Sequence, residues 1–167
     1  PDTDVELTIL RTDREGRNET IVFNITREII KLVSVKSDVI QGDIGYIRLT
    51  SFDKVSTEDF KNHLNELTSK NIKGIILDLR GNPGGYLDEA VDVVSLFVDK
   101  GKTVLYTLDR FEQKKEYLSR GGSFMGEPLV VLLDEGSASA SEVVAGALKD
   151  YNVATIVGQK SFGKGIV

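Results

Sequence analysis

The chain has 167 residues, 40% of them apolar, which suffices for one full hydrophobic core and a small appendage. Its net charge of -5, with Lys and Arg scattered along it, offers a phosphate backbone no basic track and argues against nucleic acid. The absence of Cys excludes disulfides, thiolate zinc sites and a Cys nucleophile, and the longest apolar runs, 93–98 and 129–133, fall far short of the roughly 20 residues that span a bilayer.

Two alternating runs, Val5 to Arg11 and Glu19 to Arg27, flank the polar stretch Asp13 to Asn18 and predict a β-hairpin with a Gly-containing loop. Glu28 to Gly42 mixes β-branched residues with charges and lacks a helical period, so it reads as an extended connector, with the domain boundary at Gln41 to Asp43. From Ile44 the pattern is strand, helix, strand, helix. Gly45 to Leu49 is a strand. Ser56 to Lys70 is an amphipathic helix with Phe60, Leu64 and Leu67 on one face and a capping box from Ser56 and Asp59. Gly74 to Leu79 is an apolar run suited to a strand covered on both faces, and it empties into Arg80-Gly81-Asn82-Pro83-Gly84-Gly85. A helix follows from Tyr86, then a strand over Thr103 to Leu108, then a charged surface hairpin over Arg110 to Arg120. The last elements are a strand over Leu129 to Leu133, a helix over Ser139 to Asp150 and a strand over Ala154 to Val157. This alternation predicts a largely parallel α/β core, whose site forms in loops at the carboxyl ends of the strands. Three unusual loops take those positions: 81–85, 134–139 and 159–165.

Each loop carries candidate chemistry. Ser139, in Gly136-Ser137-Ala138-Ser139-Ala140-Ser141-Glu142, stands at a strand-to-helix turn among small residues, with its hydroxyl exposed and a helix N-terminus behind it. The same spacing is also a capping box, with Glu142 three residues after Ser139. A serine nucleophile needs a base, and the single histidine, His63, sits among charged positions of a helix, which leaves a lysine or a carboxylate. Lys164 is distinguished by a glycine on either side in Phe162-Gly163-Lys164-Gly165. A lysine accepts a proton near neutrality only where an apolar pocket suppresses its charge, and Phe162, Ile166 and Val167 are candidates for that surface. Gly84 and Gly85 let backbone N–H groups face a developing oxyanion, and the N–H of Ala140 is a second donor. The segment Gly158 to Lys164 matches the spacing of a phosphate loop, but Gly165 stands where Ser or Thr would ligate magnesium and the sequence continues as strand, which argues against a nucleotide. No metal or other cofactor is expected.

Four segments in this order, Gly45 to Leu49, Leu77 to Gly85, Gly136 to Glu142 and Phe162 to Gly165, resemble the carboxyl-terminal processing (tail-specific) peptidases over nearly all of 44–167. The resemblance implies a ClpP/crotonase-type core, a Ser139/Lys164 dyad, oxyanion donors at Ala140 and the Gly84-Gly85 pair with Gly85 preferred, and a supporting acidic residue at Asp150. It further implies that 1–27 are the last part of a PDZ domain, 28–43 a linker, and 44–167 a catalytic core that continues beyond Val167 with a Gln that orients the base. The implied activity is serine endopeptidase action near the C-termini of polypeptide substrates, in an exported protein that is able to form a homo-oligomer. Two alternatives stand beside it: a non-catalytic binding or scaffold domain in which Ser139 only caps its helix, and a crotonase-like acyl-CoA enzyme.

Overall fold

The computed structural model describes residues 1–29, 33–122, 124 and 126–166. The chain divides into two compact units, Pro1–Leu32 and Val33–Val167. The first is the predicted hairpin: strands β1 (Asp4–Thr12) and β2 (Asn18–Thr26) pair antiparallel in continuous register from Asp4 opposite Thr26 to Thr12 opposite Asn18. Asp13 closes its loop, where Oδ1 accepts the N–H groups of Glu15 and Arg17 at 2.9 Å each, and Gly16 takes the positive φ (79°) that the turn requires.

The second unit is built on a five-stranded sheet. Its strands are β3 (Val35–Ile40), β4 (Ile44–Leu49), β5 (Gly74–Asp78), β8 (Leu129–Leu133) and β9 (Ala154–Gly158), hydrogen-bonded in that order. β4, β5, β8 and β9 run parallel, and β3 is antiparallel to β4. The strand β3 corrects the sequence reading, which assigned 28–43 to a linker. Lys36 and Asp38 hid it, because charges suit an edge strand whose outward positions meet water. Its hairpin to β4 turns at Gln41 and Gly42, both at positive φ (51° and 89°), a turn that Gln-Gly does not announce as Asn-Gly would.

Helices α1 (Ser56–Thr68), α2 (Leu87–Ser95) and α3 (Ala140–Asp150) lie side by side, α1 against β3 and β4, α2 against α1 and α3, and α3 against β9. They cover one face of the sheet. Phe60, Leu64 and Leu67, at helical spacing, pack there with Ile47, Leu49, Leu77 and Val131, all of them essentially inaccessible to solvent. Along the strands the alternate residues Tyr46, Ile76, Val130 and Leu132 point the other way and are only half-buried. The apolar run over 74–79 therefore has one fully packed face rather than the two expected. The predicted capping box of α1 is also absent. Val55 is the N-cap, and the buried Ser56 hydroxyl accepts the Asp53 N–H (2.6 Å) and donates to the Ser51 carbonyl (3.1 Å). Outside the main sheet, β6 (Thr103–Leu108) pairs only with β7 (Lys114–Leu118), so the strand predicted at 103–108 is half of the surface ribbon.

Candidate active site

Because β5, β8 and β9 are neighbours in the sheet, the loops that leave their carboxyl ends are neighbours too. Hydrogen bonds sew the first two together. The Ala138 N–H and the Ser141 hydroxyl both donate to the Asn82 carbonyl (3.0 and 2.9 Å), and the Ser137 hydroxyl donates to the Leu79 carbonyl (2.8 Å). Asn82, fully buried, in turn donates to the Leu49 carbonyl and accepts the Gly84 N–H, each at 2.9 Å. Ser137 and Ser141 are thus spent on structure, which leaves Ser139 as the half-buried middle serine of the run.

Ser139 is the N-cap of α3, with φ 55° and ψ −112°, a backbone region that a non-glycine residue enters only under constraint. Glu142 supplies that constraint. Its Oε2 accepts the Ser139 N–H at 2.8 Å and, at 2.9 Å, the N–H of Lys164. Its Oε1 accepts the Ser161 hydroxyl (2.8 Å) and the Gly163 N–H (2.7 Å). Burial pushes this carboxyl up, but the Ser161 hydroxyl and the three N–H groups outweigh it and hold the carboxyl below the usual glutamate value. The Phe162 N–H adds a bond to the Ser137 carbonyl (3.0 Å). One carboxylate therefore clamps the loop of Lys164 against the turn of Ser139. Sequence reading saw Glu142 only as a cap.

The two glycines differ. The Gly84 N–H is occupied by Asn82 Oδ1, whereas among the described residues no hydrogen bond occupies the N–H of Gly85 or of Ala140. A Cβ on Gly84 would lie 2.9 Å from Ser139 Cβ and 3.0 Å from the Ala140 nitrogen, so this glycine lets the loop press directly on the turn of Ser139. A Cβ on Gly85 would collide with the Phe52 carbonyl, across the bridge that Phe52 and Gly85 form. Upstream of this loop, Asp78 closes β5. Its side chain is 0% exposed, Oδ2 accepts the Tyr46 hydroxyl (2.6 Å) and the Arg80 Nη2 (2.7 Å), and Oδ1 accepts the Arg80 Nε (2.9 Å). Burial opposes its charge, yet Arg80 and Tyr46 prevail and bring its pKa down to about 2.

A model of Peptidase family S41 matches residues 43–167. The chain belongs to peptidase family S41. This S41 chain is 42% identical to the carboxy-terminal-processing protease of Bartonella bacilliformis, an alignment that covers 99% of the chain and 38% of that protein. It is 39% identical to the carboxy-terminal processing protease CtpB of Bacillus subtilis, covering 95% of the chain and 34% of that protein. The chain thus spans well under half the length of these relatives. Among solved structures it resembles the photosystem II D1 C-terminal processing protease, with a TM-score of 0.73 and 32% identity over 99% of this chain and 46% of that one.

Other predicted site residues of this S41 chain are placed differently from expectation. The Lys164 side chain is exposed, and Phe162 and Ile166, expected to form an apolar wall beside it, are 69% and 80% exposed; Val167 lies outside the described residues. Asp150 is exposed at the far end of α3, about 16 Å along the axis from Ser139 at 1.5 Å per residue, and is not brought to the other candidates. The His63 ring bonds the Ser37 hydroxyl through Nδ1 (2.7 Å), on α1 rather than in any of the three loops. Two further carboxylates, Asp78 and Asp134, were passed over. The signal for Asp78 was available, since a lone acid that ends an otherwise apolar strand must have partners.

Proposed function

We propose that the protein is a serine endopeptidase that cleaves polypeptides near their C-termini through a Ser139/Lys164 dyad. Family membership and the shared names of its relatives support the reaction class. The observation that carries the residue assignment is the sharing of Glu142 Oε2 by the N–H groups of Ser139 and Lys164, which fixes the two residues beside each other although 25 positions of sequence separate them.

In the proposed cycle, Ser139 Oγ attacks the scissile carbonyl carbon while the Lys164 amine takes the hydroxyl proton, a step that requires the exposed amine to be covered so that its charge is suppressed. The carbonyl oxygen becomes an oxyanion held by the N–H groups of Gly85 and Ala140; Gly84 is excluded because its N–H already serves Asn82. The ammonium of Lys164 then protonates the departing amine as the C–N bond breaks and an acyl-enzyme remains. Water attacks this ester, Lys164 accepts the water's proton and returns it to Ser139 Oγ, and the carboxylic acid product leaves. The α3 N-terminus adds a favourable dipole at the oxyanion. On this reading the second unit is a core of the ClpP/crotonase type and the β1–β2 hairpin is the closing part of a PDZ domain, which captures a substrate C-terminus as an added strand. An exported location and self-association complete the reading. Asp150 is assigned no contact with the reacting atoms.

The test is proteolysis by the full-length protein with Ser139→Ala and Lys164→Ala. Both are expected to abolish cleavage, and a fluorophosphonate is expected to label Ser139 of the parent. Undiminished cleavage by either variant removes that residue from the mechanism.

A further inference from the structure

The proposed oxyanion hole draws its two donors from different loops, Gly85 from the loop after β5 and Ala140 from the turn after β8. Their separation is therefore set by whatever fixes one loop against the other. Most of that seam lies inside the protein, at Asn82, Ser137 and Ser141, all of them 0% exposed. At its outer end stands one half-buried carboxylate, Asp134, directly after the last residue of β8. Its Oδ1 accepts the Gly81 N–H at 2.7 Å across 53 positions of sequence, the Gly136 N–H at 3.0 Å and the Ser137 hydroxyl at 3.3 Å. The Asp134 N–H and carbonyl close the turn on Ser137, to its Oγ and from its N–H, at 3.0 Å each.

We propose that Asp134 is a positioning residue for the oxyanion hole: by gripping Gly81 it sets the register of the Gly84-Gly85 segment against Ser139 and Ala140. The inference rests on the Ser139/Lys164 reading above. Three features support it. Gly81 is at φ 69°, one of several backbone conformations open to a glycine at similar cost, so an external bond is what selects it. The loops touch closely at this point, since a Cβ on Gly136 would stand 3.0 Å from Gly81 Cα and 3.3 Å from Asp134 Oδ1. The Gly81 N–H is also the main cause that holds the Asp134 carboxyl below the usual aspartate range, so the bond to Gly81 is a charge-assisted one. Such a grip leaves substrate binding alone and acts where charge develops on the carbonyl oxygen, which places its effect in kcat.

The experiment compares Asp134→Ala, Asp134→Asn and Asp134→Glu in the full-length protein on one peptide substrate, with Ser139→Ala alongside. Asp134→Ala is expected to lower kcat about tenfold or more with KM within about twofold, a share of the 10²–10³ that a whole oxyanion donor supplies. Asp134→Asn keeps an acceptor oxygen at the same reach and is expected to stay within about threefold of the parent. Asp134→Glu keeps the charge but displaces the oxygen by one methylene and is expected to behave like the alanine variant. A kcat within about twofold of the parent for Asp134→Glu overturns the proposal even if the alanine variant does not fold, and so does an asparagine variant as slow as the glutamate one. Cleavage by Ser139→Ala overturns instead the reading on which the proposal rests, whatever the Asp134 variants do.

Discussion

The backbone nitrogens of Ser139 and Lys164 point at one and the same oxygen, Oε2 of Glu142, so they lie no farther apart than two short hydrogen bonds allow. Glu142 is expected to be indispensable for this reason. Glu142→Gln replaces one of two fully used acceptor oxygens with a donor that faces N–H or O–H groups, and kcat is expected to fall about tenfold or more while KM changes little. Steady-state kinetics on a peptide substrate check this; an unchanged kcat removes the clamp from the mechanism.

The same carboxylate predicts an acid-sensitive clamp. Its folded pKa is depressed below the ordinary value of 4.5, so its contribution to stability is complete above that value and is lost as pH falls through the folded pKa. Thermal melts at stepped pH should show the parent losing stability below about 4.5 more steeply than Glu142→Gln. Parallel curves would contradict the assignment.

Asp78 makes a larger prediction of the same sign. With a pKa of about 2 against an ordinary 3.8, it contributes stability of about 2 kcal/mol above pH 4, lost between those two values. Tyr46→Phe removes the 2.6 Å hydroxyl bond to this buried carboxylate and is expected to cost about 1–3 kcal/mol in chemical denaturation, with the Asp78 carboxyl shifting upward. Equal stability of Tyr46→Phe and parent would show that the network is not coupled as its distances indicate.

Gly84→Ala tests the pressure of one loop on the other. The added methyl meets the Ala138 carbonyl and Ser139 Cβ at 2.9 Å each, on a residue at φ 101°. The expected outcome is a loss of about 1–3 kcal/mol of stability together with a kcat about 10²-fold lower, because the turn that carries the proposed nucleophile must move to admit it. Retained turnover would mean that the turn yields without misplacing Ser139.

Within the serine run, Ser137→Ala and Ser141→Ala should destabilise by about 0.5–1.5 kcal/mol each, since each removes one of two donors to a buried carbonyl. Both should still react with a fluorophosphonate, and Ser139→Ala should not. Labelling that follows Ser137 or Ser141 would reassign the nucleophile.

How much of this was legible beforehand differs from element to element. Phe60, Leu64 and Leu67 announced α1 and its buried face through their spacing, and the βα alternation announced the parallel sheet and the three loops at its carboxyl edge. β3 was not legible, because Lys36 and Asp38 mask an edge strand whose place depends on pairing with β4. The apolar wall expected around Lys164 was not found either, since adjacency of Phe162 and Ile166 in sequence says nothing about which way they face.

The amino-acid order by itself settled where polar, glycine-rich turns interrupt buried strands, because periodicity and turn chemistry are local properties, read over a few residues. The tertiary structure alone decided which serine is left over from structural duty, which glycine N–H is unoccupied, and that Glu142 and Asp134 tie the three loops together. Those outcomes depend on hydrogen bonds between residues up to 59 positions apart, and such bonds leave no period in a sequence.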